Sequence, residues 1–136
     1  MSKIKGLIIK EKWLIRMFED RKLWEIRNSA TNIRGKVYLI QSGTKQIVGE
    51  CKIIDCIKLD EDTFENNRHI HTIEKKFAEL SYNHPYAWII EKGSAKRYSK
   101  PISYNHPSGA IIWVNLDGKC DSDLLLEQSR LVSYTS

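Results

Sequence analysis

The chain has 136 residues, of which 41% are hydrophobic and 29% charged, enough apolar material for one core but too little length for a second folded domain. This composition also argues against a disordered chain. The net charge of +5 is uneven: residues 1–60 hold 13 Lys/Arg against 7 Asp/Glu, and residues 61–136 hold 9 against 10, so any attraction for polyanions belongs to the N-terminal portion, the alternative being a merely solvated basic surface.

Gly6–Lys10 (GLIIK) reads as a short strand. Residues 12–20 follow, with Trp13, Leu14, Met17 and Phe18 at i, i+1, i+4 and i+5, the apolar stripe of a helix. Leu23–Asn28 (LWEIRN) then alternates as a strand does, sending Trp24 and Ile26 to one face and Leu23, Glu25 and Arg27 to the other. After a turn through 29–35, Lys36–Ser42 and Gln46–Ile57 form a hairpin around Ser42-Gly43-Thr44.

Asp60, Glu61 and Asp62 give an acidic start to a helical region in which Ile70, Ile73, Phe77 and Leu80 recur at helical spacing, which predicts a crossover helix. Tyr86–Glu91 (YAWIIE) and Ala110–Leu116 (AIIWVNL) read as strands, separated by a basic, turn-rich stretch over 92–107. The segment YNHP occurs twice, at 82–85 and 104–107, each time as a strand-entry turn in which proline holds the preceding residue extended. Beyond Asp117 the chain becomes acidic and serine-rich. Leu124, Leu125, Leu131 and Val132 outline a helical stripe, so residues 117–136 read as a short docked helix or a loose tail attached to a domain over 1–116.

Cys51, Cys56 and Cys120 lack the spacing of a metal site, and His69 and His71 have no third ligand at a convincing distance along the chain. Neither a metal nor a cofactor is expected. No apolar run approaches the roughly 20 residues of a membrane span. The opening residues lack the apolar core of a secretory signal, and a cytoplasmic protein without membrane contact is the expectation.

The chemistry concentrates in Asp20–Arg27 (DRKLWEIR), with three cations and two anions in eight residues. Glu25 and Arg27 leave one strand face about 7 Å apart, and Lys22 lies at the turn within reach of both. Arg27 offers a planar fork of donors, Lys22 a point charge, and Glu25 an orienting group or proton acceptor, a set suited to a phosphate or polarised carbonyl. Spacing alone favours a solvated ion-pair cluster instead. Ser42 offers a hydroxyl and nearby N–H groups to a phosphate, or is only a turn residue, and Lys45 contacts phosphate or solvent. Of the four tryptophans, Trp24 and Trp113 read as core and Trp13 as the better pocket wall. His84 and His106, each before a proline, read as hydrogen-bonding groups of the two turns.

Lys22, Glu25 and Arg27 also fit the G-x-K-x-x-E-x-R signature of the ASCH domains, in the PUA-like superfamily. The resemblance continues through RGKVYLIQSGTKQIVGE (34–50), YAWIIE (86–91) and YNHPSGAIIWV (104–114), and spans most of residues 5–116. Asp20 stands where the signature has glycine, and aspartate can adopt the left-handed conformation a glycine would take.

The resemblance implies an α+β fold, a small mixed β-barrel of five or six strands with flanking helices. It also implies a charged cleft for RNA or a nucleobase, with RNA or a nucleoside as partner. Some small members are amidohydrolases that deacetylate N4-acetylcytidine with a lysine, a threonine and a glutamate, and another cleaves RNA. Lys22 matches that lysine, Glu25 stands in the threonine's place, and no position in the sequence marks the glutamate. Three functions follow as expectations. The first is a binding module for RNA or a modified nucleoside using Arg27, Lys22, Lys45 and an aromatic wall. The second is a hydrolase in which Glu25 activates water while Lys22 and Arg27 stabilise negative charge. The third is a protein-interaction domain related to transcription.

Overall fold

The apolar stripe of residues 12–20 forms helix α1 (Glu11–Phe18), which buries Leu14 and Met17 and packs Trp13 and Phe18 against the same core. This computed structural model describes residues 4–133. Around α1 the chain lays down β1 (Lys5–Ile9), β2 (Trp24–Arg27), β3 (Gly35–Gln41), β4 (Gln46–Lys58), β5 (Tyr86–Ile90), β6 (Lys96–Ser103) and β7 (Trp113–Asn115). Helices α2 (Glu61–Glu65) and α3 (Arg68–His71) lie between β4 and β5, and α4 (Ser122–Ser133) ends the described chain.

The strands form one mixed sheet in the order β2-β5-β4-β3-β1-β7, with β6 paired to β4 off this path. β1 and β3 run parallel, joined by a crossover that carries α1 and β2, and all other pairs are antiparallel. Seven strands stand where five or six were expected. Among the described residues no pairing joins β2 to β7, so the path is open rather than closed into a barrel. β4 is long enough to serve two partners on one edge: Gln46–Glu50 pair with β6, and Ile53–Lys58 with β5. Register shifts between Ile47 and Gly49 and between Ile53 and Asp55 bracket the changeover, as bulges do where a strand bends. Gly49 has no room for a Cβ, which would run into the Lys96 carbonyl and the Phe18 ring.

Three expectations from the sequence are corrected. The basic stretch over 92–107 contains β6: it is an edge strand with only Tyr98 and Ile102 buried, and Pro101 is tolerated because β6 pairs on one side only. The crossover helix is broken into α2, α3 and a 3-10 turn at Phe77–Glu79. The break falls at Thr72, which has φ +61 and whose carbonyl is taken by Arg16 Nη1 at 2.6 Å, a tertiary bond that competes with helix continuation. Ile73, Phe77 and Leu80 nevertheless still pack on the cluster of Ile26, Leu59, Phe64 and Ala87. In AIIWVNL only Trp113–Asn115 is strand.

Ser122–Ser133 is a helix on β6, but its buried face is rotated from the expected stripe. Leu125, Gln128, Ser129 and Val132 are buried, and Leu124 and Leu131 are exposed. Gln128 Oε1 accepts from the Ser99 hydroxyl and the Lys100 N–H, which explains a glutamine on that inner face.

Candidate functional site

Lys22 reaches its place through the end of α1. Asp20 adopts φ +60, the left-handed conformation, and the N–H groups of Arg21 and Lys22 return to the Arg16 carbonyl. The Asp20 carboxylate accepts the Gly93 N–H at 2.9 Å, so aspartate does here what glycine would not: it ties the α1 turn to the β5–β6 turn. The main chain of Leu23 then bonds both Ile70 of α3 and Ile90 of β5, fixing the entry to β2 between them.

The charged face of β2 is not solvated. Lys22 is 1% exposed and Glu25 4%. Arg27 donates through Nε and Nη2 to one oxygen of Glu25, at 3.0 and 2.8 Å, and through Nη2 to the Ile8 carbonyl at 2.8 Å. The other Glu25 oxygen lies 3.8 Å from Lys22 Nζ. Lys22 Nζ donates to the His71 carbonyl at 2.6 Å and lies 4.5 Å from the centroid of the Trp13 ring. Burial lowers the Lys22 pKa to about 8, against the opposing pull of Glu25. This amine therefore holds its proton less firmly than an exposed lysine does.

These groups line a cavity of about 390 Å³, together with Trp13 and Ser42. Five of the six residues singled out in the sequence thus come together. The sixth, Lys45, lines a neighbouring groove instead. Ser42 lines the cavity, but its own N–H is spent on the Ile9 carbonyl at 2.9 Å and is not available to a phosphate. Trp13 lines the cavity. Its ring is already surrounded by cations, with Lys12 Nζ at 4.8 Å and the Arg16 guanidinium at 5.2 Å besides Lys22. Trp88 is core, stacked on Trp113 at 5.6 Å, and Trp24 packs against the Phe64 cluster.

The segment between α3 and β5 supplies residues that spacing did not mark. Ile73, Glu74, Leu80 and Tyr82 complete the walls. Glu74 is a second carboxylate on the cavity, bonded to Arg16 at 2.7 Å and to Lys12 at 3.1 Å, which hold its pKa down to about 2. Its place depends on the left-handed turn at Thr72, and no local motif announces that turn. His71 has both ring nitrogens engaged. Nδ1 accepts the Ile73 N–H at 2.9 Å, which leaves Nε2–H to donate to the Phe64 carbonyl at 2.8 Å. Burial lowers its pKa, consistent with that neutral tautomer. His106 is likewise engaged in the second YNHP turn, accepting from the Tyr104 hydroxyl and donating to the Ala110 carbonyl. In the first, the His84 main-chain N–H bonds the Asn28 side chain. Among the described residues no three His, Cys, Asp or Glu side chains are grouped to hold a metal ion, and no helix is long and apolar enough to cross a membrane.

The family model for the ASCH domain matches residues 7–108. The chain belongs to the ASCH domain family. The crystal structure of ASCH from Zymomonas mobilis superimposes with a TM-score of 0.64 at 12% identity, covering 98% of this chain and 96% of that one. A tyrosine-to-phenylalanine variant of the Zymomonas protein gives 0.64 at 13% identity with 99% and 100% covered, and a serine-to-alanine variant gives 0.65 at 12% with 98% and 97%. At these identities the likeness is one of fold. No curated protein matches the sequence significantly. Within this ASCH domain the signature residues Lys22, Glu25 and Arg27 form the buried floor of the cavity.

Proposed function

We propose that this ASCH domain binds RNA through one nucleotide held in the cavity. The observation that carries the reading is the buried Lys22–Glu25–Arg27 floor inside a cavity of about 390 Å³, within the size range of small-ligand sites. A lysine 1% exposed, beside an arginine whose side chain is only 16% exposed, is costly to keep unless a ligand or partner uses it. The floor offers a carboxylate acceptor beside cationic donors, the chemistry that reads the polar edge of a base. Ile8, Ile26, Ile73 and Leu80 supply the apolar sides on which a flat ring rests. At the mouth, Lys10 and Lys75 are exposed and make no ion pair among the described residues, which suits a phosphate left outside. The accompanying domain reading is a PUA-like domain over residues 1–116, its sheet left open, since every lining residue falls between Ile8 and Ile111.

The test is calorimetric titration with ribonucleoside monophosphates and with N4-acetylcytidine. Binding should fall at least about tenfold in Lys22→Ala and in Arg27→Lys, because each removes a charge-assisted contact. Unchanged affinity in both would sink the reading.

A second reading, hydrolysis of RNA or of an acylated nucleoside, is favoured by the Lys22 amine, whose pKa of about 8 places it near the working range of a proton-transfer group. In that reading neutral Lys22, rather than Glu25, whose two oxygens face Arg27 and Lys22, takes the proton of the attacking water, and Arg27 steadies developing negative charge. Glu74, kept ionised by Arg16 and Lys12, orients rather than accepts. Mass spectrometry of acetylated cytidine and of mixed RNA, with and without the protein, separates the two readings, since only hydrolysis yields a product that disappears in Lys22→Ala.

A further inference from the structure

Beside the cavity lies a smaller groove of about 140 Å³, whose walls include Lys45, Tyr104 and His106. The two spaces share Ile8 and Ser42, which form a saddle between them. We propose that the bound RNA is a single strand that crosses this saddle, with one nucleotide in the cavity and its neighbour in the groove. This rests on the reading of the cavity as an RNA site and adds that a polymer, not a free nucleoside, is the ligand.

The saddle is firmly built. The Ser42 N–H bonds the Ile9 carbonyl at 2.9 Å, pinning the β3–β4 turn to the end of β1, and Gln41 Nε2 bonds the Glu11 carboxylate at 3.0 Å just beside it. Two passages fixed to a common wall keep their spacing, which a chain of regularly spaced residues can match and a free nucleoside does not need.

The groove has the chemistry of a stacking slot rather than of a base-reading site. The Tyr104 hydroxyl donates to His106 Nδ1 at 2.8 Å, and His106 Nε2 donates to the Ala110 carbonyl at 2.9 Å, so the polar atoms of both rings are occupied. The Tyr104 ring is buried in the core, so what remains toward the groove is the half-buried His106 ring, bordered by the apolar Ile8 and Ile40. Such a surface holds any base by its face. The groove therefore adds affinity without sequence preference, and selection among bases rests with the polar floor of the cavity.

Charge flanks the crossing on both sides. Lys10 lines the cavity and Lys45 the groove; both are exposed, and neither forms an ion pair among the described residues. Lys45 is held at φ +56 in the turn, a conformation that a lysine adopts at some cost. A phosphodiester passing over Ser42 lies between these two cations.

The experiment compares the four ribonucleoside monophosphates with the four homotrinucleotides by titration at several salt concentrations, on the full chain and on Lys45→Asn, since asparagine tolerates the left-handed conformation. The best trinucleotide should bind at least about tenfold tighter than its monophosphate. Lys45→Asn should flatten the slope of log affinity against log salt by about 0.7 for the trinucleotide and leave the monophosphate unchanged. Equal affinity for monomer and trimer, or a trimer advantage untouched by Lys45→Asn, overturns the strand inference while the cavity reading stands. Failure of both ligands to bind overturns the cavity reading as well.

Discussion

Lys22 Nζ donates a 2.6 Å hydrogen bond to the main-chain carbonyl of His71, 49 residues further on. This bond joins the turn that enters β2 to the segment that walls the cavity, and it sets a buried amine 3.8 Å from the Glu25 carboxylate. The folded protein holds Lys22 at about 8, against 10.5 ordinarily. Between those values the unfolded chain binds the extra proton, so this group makes stability rise with pH across that window, and below it the penalty is fully present. The separation corresponds to about 3 kcal/mol. Urea unfolding at pH 7, 9 and 10.5 should show wild type gaining on Lys22→Met by up to that amount. A difference that does not vary with pH would mean that folding leaves the pKa of this amine where it is in the unfolded chain.

Removing the counterion should hurt more than removing the lysine. Glu25→Ala leaves Lys22 and Arg27 without their shared carboxylate, and we expect a loss of about 3–5 kcal/mol in chemical unfolding. The double variant Glu25→Ala/Lys22→Met should lose less than the sum of the two, because the more deeply buried of the two unpaired charges is gone.

Asp20 balances backbone strain against a tether. Asp20→Ala keeps the φ of +60 and discards the bond to the Gly93 N–H, and should cost about 2 kcal/mol. Asp20→Gly discards the bond but also the strain, and should fall within about 1 kcal/mol of wild type. Thermal unfolding of the two variants checks the order, and an alanine as stable as the glycine would contradict it.

Glu74→Gln distinguishes binding from turnover. Neutralising this carboxylate frees Lys12 and Arg16 to meet an anionic ligand, so monophosphate affinity should rise a few-fold, on the order of 1 kcal/mol. If the cavity hydrolyses its ligand, the same variant should lower the rate of product formation while tightening binding.

The signature trio and the wall residue Trp13 were legible because they depend on local sequence: a period-2 strand, a helical stripe and a turn between them. What made the trio a floor rather than a surface was not legible. That outcome depends on β2 pairing with β5, with Glu25 opposite Trp88, and on Thr72 breaking the expected helix so that Glu74 faces the opening. The periodicity of Ile70, Ile73, Phe77 and Leu80 reported burial correctly and helical continuity wrongly, because Arg16 captures the Thr72 carbonyl from another element. β6 went unread because an edge strand needs few apolar residues, and the KRYSKPIS sequence buries only two side chains. The C-terminal helix showed its presence in its leucines but not its orientation, which Gln128 and Ser129 set through bonds to Ser99 and Lys36.

The division of β4 between two neighbours has a dynamic consequence. β6, with α4 packed on it, is latched to Gln46–Glu50, whereas β5, and through it β2 with Glu25 and Arg27, hangs from Ile53–Lys58. The first group can open as a cooperative unit without unzipping the second. Amide hydrogens of β6 should then exchange with solvent faster than those of β2 and β5. Damage to the C-terminal helix would loosen one flank of the molecule and leave the floor of the cavity in register.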